Sequence, residues 1–165
     1  MSEQNKALMR RAVEEVWNRG NVDVLEELVA SDFVIHAPQA EIHGRAGAKQ
    51  YLAMLREAFP DIHFTIEDQF ADGDRVMTRW TARATHRGAF QGIPPTNKQV
   101  SLMGTDIDRI VNGKVVECWT STDDLGLLQQ LGVVPAPGQP GKQQDESQLS
   151  PRTESFQKPE QRRQP

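Results

Sequence analysis

The chain has 165 residues, a formal net charge of −4 and 37% hydrophobic residues, enough for one domain with a real core. The acidic balance, with no basic cluster interleaved with aromatics, argues against a nucleic-acid partner. No apolar run is long enough to span a bilayer, and the opening MSEQNKALMRRAVEEV has no signal-peptide core; a cytoplasmic location with no membrane partner is expected.

Residues 3–18 carry Leu8, Ala12, Val13, Val16 and Trp17 at helical spacing, and Gly20 supplies a stop. A second short helix is predicted from about Val22 to Ala30. Asp32 to His36 reads as a short strand that Pro38 ends. Ala48, Tyr51, Leu52, Leu55 and Phe59 restore the helical period, and Pro60 terminates that helix. After Pro60 the period changes to two, with Ile62, Phe64 and Ile66 alternating against polar residues. Asp72-Gly73-Asp74 turns into a strand over Arg75–His86, whose Val76, Thr78, Trp80, Ala82, Ala84 and His86 share one face. A loop from Gly92 to Lys98 leads to a strand over Val100–Val111. Asn112-Gly113 is a strong two-residue hairpin signal. The last strand runs from Lys114 to about Thr122, and the helix Leu125–Leu131 closes at Gly132.

The stretch from Pro135 to Pro165 has six prolines, and its only apolar residues are Ala136, Leu149 and Phe156. It cannot bury enough surface to offset the entropy of ordering it. The division is therefore a folded domain over 1–134 and a disordered Pro/Gln-rich tail over 135–165. Within the domain, four turn-linked strands form an antiparallel meander, and early helices must cover one sheet face. This is an α+β layer fold. A curved sheet with helices over its concave side encloses a cone-shaped pocket suited to a hydrophobic small molecule.

Chemistry concentrates where the last strand meets the last helix, at Trp119-Thr-Ser-Thr-Asp123-Asp124. A carboxylate against an indole and away from water has a raised pKa and can move protons near neutral pH. Alternation counted from Val115 puts Glu117, Trp119, Ser121 and Asp123 on one face. If Trp119 faces the pocket, Asp123 does too, and Asp124 caps the helix. The alternative is that both aspartates cap it. His86 shares a face with Trp80, and there it either exchanges protons with a carboxylate or simply ends the strand. His36 has the same two readings. Arg109 reads as an anion partner or a surface charge, and Tyr51 and Trp17 as core or pocket wall. Cys118 is the only cysteine, which excludes an intrachain disulfide and CxxC sites. No HxH or HExxH gives a zinc ligand set, and no GxSxG, P-loop or GxGxxG is present.

Several of these pieces together resemble the SnoaL-like polyketide cyclases (ester cyclases) of the NTF2-like superfamily. They are Phe33-Val-Ile-His36, Thr85 through the Gly-Ile-Pro-Pro-Thr-Asn-Lys98 loop, Asp108-Arg-Ile-Val-Asn-Gly-Lys114, Val116-Glu-Cys-Trp119, and Asp123-Asp-Leu-Gly-Leu-Leu-Gln-Gln-Leu-Gly132. The likeness covers nearly all of residues 5–134. Asn97 stands where the family usually has Gly, at a turn position Asn also occupies.

The resemblance implies an NTF2-like cone-shaped barrel, dimeric through the outer sheet face. It implies intramolecular aldol ring closure on a hydrophobic polyketide ester, without metal or cofactor. Asp123, three residues before Gly126, matches the family's general acid/base, with His86 beside it as a second catalytic candidate. His36, Trp119, Trp80, Tyr51 and Arg109 are the expected substrate-binding residues. An isomerase or hydrolase in the same fold, or a non-catalytic small-molecule binder, remains the alternative.

Overall fold

A computed structural model describes residues 1–138. The expected tail lies outside the described residues from position 139 onward. The described chain runs α1 (Ser2–Arg11), a π-helical segment (Ala12–Asn18), a 3-10 turn (Val22–Val24), α2 (Leu25–Leu28), β1 (Val29–Ala37), β2 (Ala40–His43), α3 (Gly44–Ala58), β3 (His63–Asp72), β4 (Arg75–Thr85), β5 (Gln99–Val111), β6 (Lys114–Thr122) and α4 (Asp124–Leu131). The first predicted helix thus changes its winding after Arg11. Its wider turns carry Ala12, Val13, Val16 and Trp17 onto the interior side.

The six strands form one curved, unclosed sheet in the order β2-β1-β6-β5-β4-β3. From β3 to β6 it is the predicted antiparallel meander. Two features depart from the sequence reading. The four-residue strand β2 pairs with β1, where only a loop was expected. The β1–β6 pair is parallel, so the sheet is mixed. The reason is topological: α3 carries the chain from β2 at one edge to β3 at the other, and the meander brings β6 back alongside β1.

The helices lie over the concave face and bury two apolar clusters against it. One joins Met9, Val16, Leu28, Leu52, Val76 and Val115. The other joins Phe59, Ile62, Trp80, Val100, Leu127 and Leu131. Between them the Trp80 indole lies flat across Gly104, where a Cβ would come within 2.3 Å of Trp80 Cζ2; a side chain at 104 has no space.

The hairpin joining β5 to β6 turns at Asn112 and Gly113, with φ of 51° and 73°. This conformation suits Asn-Gly. It sets the pairs Val111–Lys114 and Ile110–Val115, but the next pair is Arg109–Glu117. Val116 is therefore an extra residue in β6, a β-bulge. Because side chains alternate with a period of two, this insertion reverses the facing of every later residue in the strand.

Candidate functional site

The concave side holds two neighbouring cavities. The larger, about 350 Å³, lies between the β1–β2 turn, α3, the inner face of β4–β6 and the start of α4. Its wall is mostly apolar, and its polar groups include Tyr51, Thr120, Thr122 and Asp124. The smaller, about 70 Å³, lies deeper under the π-helical segment, with Thr78, Asp106, Asp108 and Cys118 among apolar side chains. The two meet along one wall. Trp17 of the smaller makes an edge contact with Tyr51 of the larger, at 6.3 Å between ring centroids. Thr120 of the larger donates a 2.6 Å hydrogen bond to Asp106 of the smaller.

The bulge at Val116 inverts the expected division of labour between the adjacent aspartates. Past it, Cys118, Thr120 and Thr122 face inward, and Asp124 follows them into the larger cavity. Asp123 is exposed and is the N-cap of α4: its Oδ1 accepts from Gly126 N at 2.9 Å. Asp124 is half-buried and held by two donors, Thr122 Oγ1 at 2.6 Å and Gln39 Nε2 at 3.3 Å. Alternation counted straight from Val115 misassigned the pair because it crossed an inserted residue.

The same inversion turns Trp119 outward. It stacks on His36 at 5.4 Å on the convex face, and the Arg75 guanidinium lies over its ring, 5.4 Å from the centroid. His36 bridges two carboxylates, Nδ1 to Glu41 and Nε2 to Glu117, each at 2.9 Å. Arg109 donates to Glu117 at 3.1 Å. The hydrogen bond to Glu117 raises the His36 pKa, partly offset by burial, and the same bond is the main cause lowering Glu117. Trp119, His36 and Arg109 thus form an outer-face ionic and aromatic cluster, on the opposite side of the sheet from both cavities.

His86 is fully buried but lines neither cavity. Its Nδ1 meets the Thr96 backbone N–H at 3.2 Å and the Thr96 hydroxyl at 3.0 Å, and Phe59 packs on its ring at 5.3 Å. It ties the 86–98 loop to the end of β4, and among the described residues its buried Nε2 has no hydrogen-bond partner. Trp80 does face inward. On β4 it sits between Thr78, which lines the smaller cavity, and Ala82, which lines the larger, and it packs edge-on against Phe64. Tyr51 lines the larger cavity; burial first, then the charges of Asp124 and Asp106, raise its pKa.

The sequence reading missed the inward acids Asp106 and Asp108. They stand opposite Thr78 and Val76 on the buried face of β4. A signal was present: Asp106 and Asp108 share the period-two phase of the apolar Ile110. Burial raises Asp106, with the Thr120 hydroxyl offsetting it; the Trp80 indole also offsets it, although Trp80 Nε1 makes no hydrogen bond of normal geometry. Asp108 is pushed up to about 8 by burial and by the neighbouring Asp106 charge, with Cys118 opposing. Among the described residues, no lysine, arginine or histidine lines either cavity. Among the described residues no group of three or more His, Cys, Asp or Glu is placed to hold a metal ion.

A curved, unclosed sheet with helices over its concave face is the arrangement of the NTF2-like fold, and the comparisons agree. The family model for SnoaL-like polyketide cyclase matches residues 7–131. This chain belongs to that family. Among curated proteins it is 28% identical over 131 residues to the aklanonic acid methyl ester cyclase DnrD of Streptomyces peucetius, covering 76% of this chain and 88% of the relative. Among solved structures it is similar to AclR of Streptomyces galilaeus, which carries a provisional hydroxylase assignment, with a TM-score of 0.74 and 32% identity over 82% of this chain and 85% of that one. IdmH of Streptomyces antibioticus, provisionally a polyketide cyclase, gives 0.69 and 32% over 78% and 99%. No helix among the described residues is long and apolar enough to cross a membrane.

The raised Asp108 gives a signed prediction. Its folded value is about 8, against about 4 when unfolded. Between those values the folded state holds a proton that the unfolded state has lost, so stability falls as pH rises through this window. Asp108→Asn removes this contribution. Thermal melts from about pH 5 to about pH 8 should therefore show a smaller fall for the variant than for the wild-type chain. Parallel curves would contradict the buried, proton-holding carboxyl.

Proposed function

We propose that the protein closes a carbon ring by intramolecular aldol condensation on an uncharged, hydrophobic polyketide ester, with Asp124 as general acid/base. The observation that carries this reading is the facing of Asp124. It is the carboxylate at the β6–α4 junction that lines the larger cavity, while Asp123 is engaged by Gly126. Membership of the cyclase family supports the reaction class, and the relative's methyl ester supports an ester ligand.

The charge of the cavity supports a neutral ligand. Acidic groups without a cation in the lining would repel a free carboxylate, and burial strengthens the repulsion. Arg109, expected as an anion partner, is paired with Glu117 on the convex face. An ester in place of the acid removes the conflict.

Asp124 takes the proton from the carbon between two carbonyls. The resulting enolate spreads its charge over both oxygens and attacks the ketone carbon of the same molecule. A carbon–carbon bond forms, the ketone oxygen becomes an alkoxide, and Asp124 returns the proton to it. The proton is recycled and no electron is transferred, so the step needs no redox partner. Thr122 and Gln39 orient the carboxylate. Tyr51 places its hydroxyl on the same cavity wall as a donor to a carbonyl oxygen. An isomerase would use the same carboxylate and return the proton to a different carbon.

The outer sheet face is the proposed homodimer surface. Met103 is 63% exposed, Phe70 61% and Ile107 39%, and Ile107 stands opposite Trp119; exposed apolar side chains grouped on one face mark an association site. Ile107→Glu should turn a dimer into a monomer in sedimentation equilibrium. A monomeric wild-type chain, or a variant that stays dimeric, would end this assignment.

Turnover of aklanonic acid methyl ester tests the base. Asp124→Asn should lower kcat at least about a hundredfold with the fold intact. Asp123→Ala should cost about 1 kcal/mol of stability through the lost cap and leave kcat within a few fold. The opposite pattern would return the base role to Asp123, and loss of neither would remove both.

A further inference from the structure

The smaller cavity contains an unexplained polar atom. Asp108 is 3% exposed, and among the described residues its Oδ2 has no hydrogen-bond partner. It stands on the inner face of β5 opposite Cys118 and Val76. The other lining side chains are mainly apolar, and none is cationic. Leaving a buried carboxyl oxygen without a partner costs free energy, and the great majority of such atoms are satisfied. A group that enters the cavity and pairs with Oδ2 removes the cost.

We propose that the smaller cavity is a second ligand subsite, in which the Asp108 carboxyl donates a hydrogen bond to a carbonyl oxygen carried on a short apolar arm of the substrate. This rests on the proposed function and deepens it, because it says which part of the keto-ester goes where. The size fits: about 70 Å³ exceeds what one water needs but is too small for a ring system, which belongs in the neighbouring cavity of about 350 Å³. The route fits as well. To enter from the larger cavity, an arm parts the shared wall, which is formed by the Trp17–Tyr51 contact and the Thr120–Asp106 hydrogen bond. Trp17 lies in the π-helical segment, a winding found often at functional sites.

The chemistry fits a carbonyl better than an amine or a carboxylate. A ligand cation has an ionised carboxylate to meet only where Asp108 has lost its proton, which burial and Asp106 oppose. A ligand anion meets repulsion from Asp106. A neutral acceptor suits a neutral carboxyl, which has one O–H to give. Such a donor, aimed at an oxygen that gains charge as the enolate forms, strengthens along the reaction. Asp124 and Asp108 then divide the work, one moving the proton and the other holding an oxygen.

The test compares two fluorescent probes, a naphthyl-substituted butanone and the naphthylbutane that lacks its ketone oxygen. Neither titrates, so any pH effect on the preference belongs to the protein. At about pH 6 the wild-type chain should bind the ketone roughly tenfold more tightly than the hydrocarbon, the worth of one hydrogen bond. At about pH 9.5, above the Asp108 value of about 8, the preference should fall to near parity. Asp108→Asn keeps an N–H donor and should keep the preference at both pH values. Asp108→Leu should lose it at both. A preference that survives in Asp108→Leu, a wild-type preference that does not change with pH, or no binding of either probe would overturn the subsite and leave a water-filled hollow. None of these outcomes touches the role of Asp124, which turnover tests separately. Conversely, a failed Asp124 assignment with an intact, pH-dependent ketone preference leaves the subsite standing.

Discussion

One inserted residue in a β-strand decides which side chains face the interior. Val116 interrupts the β5–β6 ladder between the Ile110–Val115 and Arg109–Glu117 pairs. A bulge of this kind re-aims everything beyond it, because neighbouring residues point to opposite faces. Without it, Glu117, Trp119 and Ser121 would turn toward the helices, and the ionisable Glu117 would enter an apolar interior. With it, Cys118, Thr120 and Thr122 fill the concave face. Trp119 joins His36 and Arg75 outside. The strand then delivers Asp124 to the cavity and Asp123 to the first turn of α4, where an exposed carboxylate suits the helix N-terminus.

The interior that results is acidic and uncompensated. Asp106, Asp108 and Asp124 line the two cavities with threonines and a tyrosine, and among the described residues no cation lines either one. Depth separates their behaviour. Asp124 is half-buried at the start of α4, with two donors on its oxygens. Asp108 lies nearly out of reach of solvent, beside another carboxyl, and burial holds its proton to about pH 8.

Much of the fold was legible because its signals are local. Asn112-Gly113 announced its hairpin, Pro60 and Gly132 ended their helices, and the alternation Val76, Thr78, Trp80, Ala82, Ala84 gave the inner face of β4. What escaped was non-local or irregular. The parallel β1–β6 pairing follows from a crossover that no short window contains. The bulge at Val116 has no glycine or proline to mark it, so the phase of β6 was read backwards and Asp123 and Trp119 were placed toward the pocket. Asp106 and Asp108 were passed over because a charged residue in an alternating strand is ordinarily read as outward. Their facing follows from the period-two phase they share with Ile110, which the apolar neighbours of β5 mark only weakly. His86 was correctly placed on the face of Trp80, yet only the Thr96 contacts show that it anchors a loop.

The most direct test is a crystal structure of the protein with a non-cyclising ether analogue of an aromatic keto-ester bound. The account predicts that the aromatic body fills the larger cavity, with an Asp124 oxygen within roughly 3 Å of the carbon or oxygen that exchanges the proton, while Asp123 stays on Gly126 N. An analogue seated against Trp119 and His36 on the convex face would contradict it, as would one whose reacting carbons face a released Asp123 with Asp124 turned away.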